Sequence, residues 1–362
     1  MIKGILTCII IVIIVCINFL KKWPAFGKKP TLKNNKKYQK RAINYTNQKF
    51  STKSIIYLKE GIEGKTISKK GTIPTDEIPV EKPKFIKKLK KEDFTITWFG
   101  HSTVFLQLQK LNIIIDPVFS KITSPISFIG PKRYCKFPIQ IDELPSIDIV
   151  IITHDHYDHL DYKTIRKIDK KTTKYIVQLG IENHLISWGI DEKKIINMSW
   201  WEELNFKDLQ ISSTPAYHYS RRSVFDKNKT LFSSWVIKSD LYKIFISGDT
   251  GFSNHFEQIY NKYGPFDIAL LENGQYDKKW SKSHMTPEQS IIASRKIHAK
   301  NIIPIHWGTY KLAYHHPWDD PIERFTKKAS KMNINTITPI IGQTVNYKEK
   351  EKCKTIWWKN IR

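Results

Sequence analysis

The stretch Thr153-His-Asp-His-Tyr-Asp-His-Leu-Asp161 decides the fold, and it directly follows the largely apolar residues 147–152. Three histidines and two aspartates fall within the six positions 154–159, where a strand that ends has little structural use for them. Imidazole suits zinc, copper, iron and nickel, and carboxylate adds a hard oxygen ligand. The first two histidines alternate as extended residues do, so both can face one metal, and the following Asp-His pair can face a second metal. This spacing predicts a metal site rather than a polar turn that is rich in histidine.

Further metal-ligand residue types stand at the ends of other strand-like runs. His218 ends Pro215-Ala-Tyr-His218, Asp249 lies in Gly248-Asp-Thr-Gly251, and His306 lies in Ile305-His-Trp-Gly308. Together with the first cluster they make seven candidate ligands, five histidines and two aspartates. Two zinc ions that share one bridging carboxylate fit this number, and each ion keeps a position for water or substrate.

With these residues the chain resembles the metallo-β-lactamase-fold hydrolases, whose hallmark is a His-x-His-x-Asp-His cluster. Within that superfamily it most resembles the N-acyl-phosphatidylethanolamine-hydrolysing phospholipase D group. The supporting motifs run in the group's order across residues 93–325: Trp98-Phe-Gly-His-Ser-Thr103, Ile115-Asp-Pro-Val-Phe-Ser120, Phe128-Ile-Gly-Pro-Lys-Arg133, Glu143-Leu-Pro145, Trp200-Trp-Glu-Glu203, Gly264-Pro-Phe-Asp267 and His284-Met-Thr-Pro-Glu288.

The resemblance implies an α+β fold, a four-layer αββα sandwich, and a set of roles for the candidate ligands. One zinc ion is expected on His154, His156 and His218, and the other on Asp158, His159 and His306, with Asp249 bridging the two. His284 matches a histidine that lies near the metals without binding them. We therefore expect Asp158, Asp249 and His284 to take part in catalysis.

Five residues are candidates for substrate binding. Arg221 and Arg222 follow His218 and can meet a phosphate through charge-assisted hydrogen bonds, although an ordinary ion pair is the alternative. Tyr157 lies inside the ligand cluster. Gln275 and Tyr276 belong to a segment that is more apolar in the animal enzyme and that lies near the expected substrate path.

Three other features near the cluster are expected to have roles other than metal binding. Asp161 can orient one of the histidines from outside the ligand set. His101 is expected to form hydrogen bonds in a loop near the site rather than to bind metal. The apolar loop 119–130 is expected either to cover an acyl chain or to pack against the core.

The chain is strongly basic, with 60 Lys and Arg residues against 34 Asp and Glu residues and a formal net charge of +26. Such a balance favours a polyanionic surface, either anionic lipid or nucleic acid, or it reflects a lysine-rich composition alone. No nucleic-acid-binding motif accompanies the lysines, so no specific nucleic-acid partner is expected.

Residues 4–20 are 17 uncharged and mostly apolar positions, just long enough to cross a bilayer as a helix. A cleaved signal peptide is the alternative, but no small-x-small cleavage site follows. We therefore expect a retained single-pass N-terminal anchor. The basic residues behind it predict that the catalytic domain lies on the cytoplasmic face, close to anionic headgroups.

The predicted organisation is an anchor at 1–22, a basic tether at 23–92, a catalytic domain at 93–348 and a basic tail at 349–362. The expected protein is a membrane-associated di-zinc hydrolase that cleaves N-acyl-phosphatidylethanolamine to N-acylethanolamine and phosphatidic acid. Its expected partners are the phospholipid substrate and a membrane surface. Two alternatives stay open: a hydrolase of the same fold for a soluble lactone or cyclic phosphodiester, and a non-catalytic metal-binding membrane protein.

Overall fold

The computed structural model describes residues 5, 7, 9–12, 14, 18, 19, 22–61, 71–312 and 316–361. After a short 3-10 helix at Pro24–Phe26, the chain forms helix α1 (Leu32–Arg41) and a hairpin of β1 (Tyr45–Thr46) and β2 (Lys49–Phe50). Thr31 caps the helix, because its side chain accepts a hydrogen bond from the Asn34 amide. Buried side chains of this segment pack with Phe232, so residues 31–50 lie against the main body of the protein.

The structure contradicts the predicted membrane anchor. Among the described residues, no helix is both long and apolar enough to cross a membrane. The predicted segment was at the lower limit of the length that a spanning helix needs, which is about 20 residues. Directly behind it, the Trp23 indole donates a hydrogen bond to the Pro125 carbonyl, so the chain there already contacts the main body. The single-pass anchor, and the membrane placement that was derived from it, are therefore wrong.

Short β-branched and aromatic runs build a seven-stranded mixed sheet. Its strands are β3 (Phe94–Trp98), β4 (Val104–Leu108), β5 (Leu111–Ile115), β6 (Ile147–Ile151), β7 (Thr172–Gln178), β8 (Ile195–Met198) and β15 (Thr344–Asn346), in the order β15-β3-β4-β5-β6-β7-β8. Strands β5 to β8 run parallel to one another, whereas β15, β3, β4 and β5 pair antiparallel. Both faces of this sheet are covered, since nearly every central residue is buried.

A second mixed sheet has six strands. They are β9 (Glu203–Phe206), β10 (Leu209–Thr214), β11 (Ser234–Lys238), β12 (Lys243–Ile246), β13 (Ile268–Glu272) and β14 (Ile302–Ile305), in the order β14-β13-β12-β11-β10-β9. Here β12, β13 and β14 are parallel and the others antiparallel. Each sheet therefore ends in a parallel half, and parallel strands present their carboxyl ends at one edge.

The two sheets pack face to face, and helices cover their outer faces. Alternation along the strands sorts the side chains: Ile113 and Ile115 of β5 join the cluster shared by both sheets, whereas Ile114 joins a second cluster with Leu185. Helices α2 (Tyr162–Ile168) and α3 (Ile181–Ser187) cover that second cluster, and α4 (His255–Tyr263), α5 (Pro287–Lys296) and α6 (Asp320–Lys331) cover the other sheet. This is the α+β architecture that the resemblance implied.

The last residues of the described chain also belong to this core. Trp357 and Trp358 are buried, and the Trp357 ring stacks on Trp307 at a centroid distance of 5.1 Å. Trp307 directly follows His306, so this end of the chain supports a strand end that carries a candidate ligand.

Candidate metal centre

The predicted ligands meet because the parallel strands end at the same edge. Residues 154–159 follow β6, Asp249 follows β12, and His306 follows β14, while His218 follows the antiparallel β10. Two glycines allow the close approach that this requires. A Cβ at Gly274 would lie 2.3 Å from His306 Nδ1, so only glycine fits there. Gly248 adopts a left-handed backbone conformation, with a φ of +56°, which favours glycine.

The first cluster consists of His154, His156, His218 and Asp249, whose ligand atoms all lie within 4.8 Å of one another. The His218 Nε2 atom lies 3.2 Å from His156 Nδ1. The Asp249 Oδ2 atom lies 3.7 Å from His154 Nε2 and 3.9 Å from His218 Nε2. The alternating histidines thus face one point, as the extended geometry of residues 154–156 predicted.

The second cluster groups Asp158, His159 and His306 with His101. The His306 Nε2 atom lies 3.6 Å from Asp158 Oδ2 and 3.1 Å from Asp249 Oδ1. The His159 Nε2 atom lies 3.1 Å from Asp249 Oδ2. The carboxylate of Asp249 therefore contacts both clusters, which is the placement expected of a bridging ligand.

The separations between the buried ligand atoms, and the lack of hydrogen-bond partners for several of them, suit binding to a shared metal ion. Two ligand atoms on one tetrahedral zinc ion, each about 2.0–2.1 Å from it, are about 3.3 Å apart. The separations between the ligand atoms, from 3.1 to 3.9 Å, are close to this value. Four of these atoms, His154 Nε2, His159 Nε2, His306 Nε2 and Asp249 Oδ1, are buried without a hydrogen-bond partner. Since unpaired buried polar atoms are costly, both clusters are candidate metal-binding sites.

Burial and neighbouring charges both shift the pKa values of the titratable groups at the centre. Burial alone raises the pKa of Asp249, but His159 and His306 hold it well below its usual range. Burial lowers the pKa of His306, yet the carboxylates of Asp249 and Asp158 together outweigh it and raise the pKa to about 10. Burial is also the main reason that the pKa of His101 falls to about 3, which keeps this imidazole neutral. Because histidine binds a metal only in its neutral form, a metal ion at this centre has to displace the proton that the raised pKa places on His306.

His101 contacts the second cluster by a hydrogen bond to Asp158. Its Nε2 atom is 3.0 Å from Asp158 Oδ2, and its ring centroid is 3.9 Å from that of His306. Its backbone is left-handed, with a φ of +52°, and the same holds for His306 at +70° and Asp116 at +44°. Such conformations cost energy for residues other than glycine and persist where the surrounding structure enforces them, often at functional sites.

Asp116, rather than Asp161, orients a ligand histidine. Its Oδ2 atom lies 2.7 Å from His159 Nδ1, and it also accepts hydrogen bonds from the amide and hydroxyl of Thr153. Asp161 instead caps helix α2, because it accepts hydrogen bonds from the Lys163 amide and the Thr164 hydroxyl. The suggested role of Asp161 is therefore wrong. Asp116 directly follows the strand β5, which runs parallel and adjacent to β6, so strand order would have identified it.

A buried glutamate that sequence analysis did not single out holds His284. Glu272 is fully buried at the end of β13, and His284 Nδ1 hydrogen-bonds to its Oε1 atom. The other oxygen, Oε2, accepts a hydrogen bond of 2.9 Å from the Thr250 amide. Ligand atoms of Asp249, Glu272, His284 and His306 lie within 4.8 Å of one another, so His284 reaches the shared carboxylate. Burial lowers the pKa of His284, but the charge of Glu272 raises it above its ordinary value.

The two arginines after His218 have different surroundings. The guanidinium of Arg222 is buried and donates to the carbonyls of Asp155, Leu160 and Ala25. Arg221 is exposed, and its Nε donates to the Ser223 carbonyl at 3.1 Å. These contacts give Arg222 a structural role in holding the ligand loop, whereas a phosphate contact by either residue stays a prediction.

The other three candidates for substrate binding also have partners in the protein. The Tyr157 hydroxyl donates to the Arg222 carbonyl at 2.5 Å. The Gln275 Oε1 atom accepts a hydrogen bond from the Leu312 amide, and the Tyr276 hydroxyl donates to Asp320 at 2.6 Å. The structure therefore places Tyr157 at the ligand loop and ties the segment 275–276 to helix α6. Their predicted role in substrate binding stays a prediction.

Comparisons with known proteins identify the family to which the chain belongs. The family model of the beta-lactamase superfamily domain matches residues 111–307. An uncharacterised protein of Mycobacterium tuberculosis is 35% identical over 277 residues, which cover 75% of this chain and 74% of that protein. The N-acyl-phosphatidylethanolamine-hydrolyzing phospholipase D 1 of Caenorhabditis elegans is 30% identical over 293 residues, covering 75% of this chain and 82% of the relative.

Among solved structures, the metallo-hydrolase Igni18 of Ignicoccus hospitalis is similar, with a TM-score of 0.53 and 24% sequence identity. The match covers 70% of this chain and 97% of that protein. At this level of identity the likeness concerns the fold.

Proposed function

The chain belongs to the beta-lactamase superfamily and has the metallo-β-lactamase hydrolase fold, and from this premise we propose that it is a phosphodiesterase of the phospholipase D type. Its proposed substrate is N-acyl-phosphatidylethanolamine, which water converts to N-acylethanolamine and phosphatidic acid. The proposed cofactor is a pair of zinc ions. A lipid surface is the proposed partner, since a net charge of +26 suits anionic headgroups.

One observation carries this proposal: two clusters of buried ligand residues share the Asp249 carboxylate. A dinuclear site clamps both the attacking and the leaving oxygen of a phosphodiester, which is why such sites recur in phosphatases and nucleases. The similarity to the nematode phospholipase D supports a phospholipid as the diester.

The cluster residues would hold the two ions, which when bound supply Lewis acidity and an activated water. The protein's own groups then fix the geometry. Asp116 holds His159 by its Nδ1 atom, so the opposite nitrogen faces Asp249. Glu272 accepts the hydrogen bond of His284 Nδ1. This leaves the other ring nitrogen of His284 to exchange a proton with the phosphoryl or leaving oxygen, which is the work of a general acid–base group.

The test is to incubate the purified, zinc-loaded protein with N-acyl-phosphatidylethanolamine in mixed micelles made with heavy-oxygen water. Mass spectrometry should find N-acylethanolamine and phosphatidic acid, with the heavy oxygen in phosphatidic acid, because water attacks phosphorus. Asp249→Ala serves as the matched inactive control. A soluble lactone and a cyclic phosphodiester run in parallel. Turnover of either of them, with none of the phospholipid, would contradict the proposal.

A further inference from the structure

The loop of residues 100–102 contacts two candidate ligands of the second cluster, Asp158 and His306. The ring nitrogen Nε2 of His101 lies 3.0 Å from Asp158 Oδ2. The Ser102 hydroxyl donates a hydrogen bond of 2.6 Å to the Asp158 carbonyl, and the His306 amide donates one of 2.8 Å to the His101 carbonyl. We propose that His101 is a positioning residue, which binds no ion itself but holds the Asp158 carboxylate in place for the ion of the second cluster.

The contact between His101 and Asp158 leaves the carboxylate able to bind a metal. A carboxylate only accepts hydrogen bonds, so the Nε2 atom of His101 is the donor. The accepting oxygen, Oδ2, is also the one that lies 3.6 Å from His306 Nε2, so the hydrogen bond holds the oxygen that faces another ligand. A carboxylate oxygen has two lone pairs, and one remains for an ion when the other accepts from His101. His101 therefore orients a ligand atom without blocking it.

The same geometry argues against His101 as a metal ligand. Four ligand atoms are already available to the second ion, from Asp158, His159, His306 and the shared Asp249. Catalytic zinc sites keep a position for water or substrate, and a further protein ligand would compete for it. A metal-bound Nε2 would also have to give up the proton that it donates to Asp158.

The backbone of His101 is fixed, so the direction of its ring is fixed as well. Its carbonyl accepts a second hydrogen bond, of 2.8 Å, from the Trp98 indole. Its φ of +52° is left-handed, and its buried ring packs on that of His306 at a centroid distance of 3.9 Å. This conformation costs energy in a residue with a side chain, so the surrounding contacts must enforce it. They hold the ring where its Nε2 atom reaches Asp158.

The second ring nitrogen of His101 supports a functional reason for having histidine at this position. Among the described residues, the buried Nδ1 atom has no hydrogen-bond partner. Buried polar atoms are usually paired, and an apolar side chain here would avoid the cost of leaving one unpaired. Positions that break such a rule tend to be functional. We infer that the imidazole is present for its Nε2 donor.

The inference rests on the proposed function only in its cofactor, because it needs a second ion but no particular substrate. Its first test is the affinity of the metal-depleted protein for zinc, measured in competition with a chromophoric chelator. The wild-type protein should bind two ions. His101→Asn should bind one of them as the wild type does and the other about 10–100-fold more weakly, the usual effect of removing a group that holds a metal ligand.

His101→Gln should restore most of the lost affinity. Asparagine and glutamine both adopt a left-handed backbone elsewhere in the chain, at Asn228 and Gln109, so the two variants can keep the backbone conformation of His101. They differ in reach, because the amide of glutamine extends to the position of the imidazole Nε2 and that of asparagine ends short of it. Unchanged affinities in His101→Asn, equal weakening of both ions, or a His101→Gln variant no better than His101→Asn would overturn the proposal.

His298→Asn is the matched control for the change of residue type. His298 has the same left-handed backbone, with a φ of +51°, and its ring stacks on Tyr260 of α4, outside both ligand clusters. This variant should bind both ions as the wild type does. A loss of affinity equal to that in His101→Asn would contradict a specific role for His101.

The proton on Nε2 distinguishes a positioning residue from a ligand. In the zinc-loaded protein with ¹⁵N-labelled histidine, spectra that correlate ring nitrogens with their protons should show a proton on His101 Nε2. The signal is assigned by its loss in His101→Gln. An Nε2 atom without a proton, with the nitrogen shift of a zinc-bound histidine, would make His101 a ligand and overturn the proposal.

Phospholipid turnover, measured on the same preparations, separates this inference from the proposed function. If the zinc affinities are as expected but no N-acyl-phosphatidylethanolamine is hydrolysed, the role of His101 stands and the proposed function fails. If the wild-type protein binds two ions and hydrolyses the phospholipid while His101→Asn keeps both affinities, the inference fails and the proposed function stands. Hydrolysis by a wild-type protein that binds a single ion would overturn the inference and leave the proposed substrate standing.

Discussion

Two segments reach the candidate metal centre from the carboxyl ends of parallel strands, and they differ in what holds them. The segment after β6 contributes four ligand residues within six positions, and its neighbour Asp155 accepts hydrogen bonds from the Arg221 amide and the Thr230 hydroxyl. The second segment begins with Glu272, the last residue of β13, whose buried carboxylate faces the centre, and it then turns to helix α6 through Tyr276. The first segment supplies most of the candidate ligands, and the second connects the centre to the helical layer.

Metal binding, catalytic rate and stability should therefore depend on different residues of these two segments. Changes at the ligands should abolish metal binding, because they remove bonds to the ion itself. Changes at Glu272 and His284 should alter the rate with little effect on metal content. Changes at Tyr276 should have little effect on metal content or turnover and should lower the stability of the fold instead.

The largest effect is expected for Asp249→Ala, since Asp249 contacts both clusters. Elemental analysis should show loss of metal from both positions, where wild type holds about two ions per chain. Phosphodiester turnover should fall by on the order of 10³-fold or more, because the metals supply several kcal/mol of transition-state stabilisation. His306→Ala should empty chiefly one position. A bridging role for Asp249 is excluded if the two variants lose the same single ion.

His284→Ala tests whether the second segment acts on the rate alone. Its ring lies 5.2 Å from that of His218, centroid to centroid, and outside the proposed ligand set. We expect near-normal metal content and melting temperature, with turnover reduced by about 10²–10⁴-fold, the usual range for an acid–base group. Full activity would remove His284 from the mechanism, and lost metal would make it a ligand.

Glu272→Gln should have a smaller effect, because Glu272 acts through His284. Residues that orient a group of a metal site from behind typically matter by about 10–100-fold. The decisive measurement is the double variant Glu272→Gln/His284→Ala. If Glu272 only orients His284, the double variant should be no slower than His284→Ala alone. Independent, multiplicative losses would show that Glu272 has a separate role.

The ligand cluster and the strands that carry it were predictable, because both are local in sequence. Metal-ligand types at close spacing after an apolar run indicate a site without knowledge of the fold. The start of α5 is equally local: Thr286 caps it, with Pro287 in the first turn and Gln289 completing the capping box, as the sequence indicates. The start of α4 is less clear from sequence, because Ser253 is a residue type that caps helices, yet the helix begins after Asn254, one residue later.

Residues that depend on strand order were not predictable in this way. Asp116 lies 43 positions from His159, and only the pairing of β5 with β6 brings them together. Glu272 reads as the polar end of a buried strand, and its partner His284 comes from a loop that must fold back. The anchor prediction was wrong for a different reason: an apolar run gives the composition of a segment but does not determine how long its helix is. Among the described residues, no helix is long and apolar enough to cross a membrane.

The smallest effect is expected for Tyr276→Phe, which separates a structural from a substrate-binding role. The change removes the hydrogen bond from the Tyr276 hydroxyl to Asp320 and the one that Arg324 donates to that hydroxyl, so the free energy of unfolding should fall by at least about 1 kcal/mol. Tyr263→Phe is the matched control, because it removes a 2.8 Å hydrogen bond from a tyrosine to Glu203, a residue outside the candidate metal centre. If Tyr276 only ties its segment to α6, both variants should melt about 2 °C lower and keep the KM for the phospholipid. A raised KM in Tyr276→Phe alone, with an unchanged melting temperature, would show instead that its hydroxyl binds substrate.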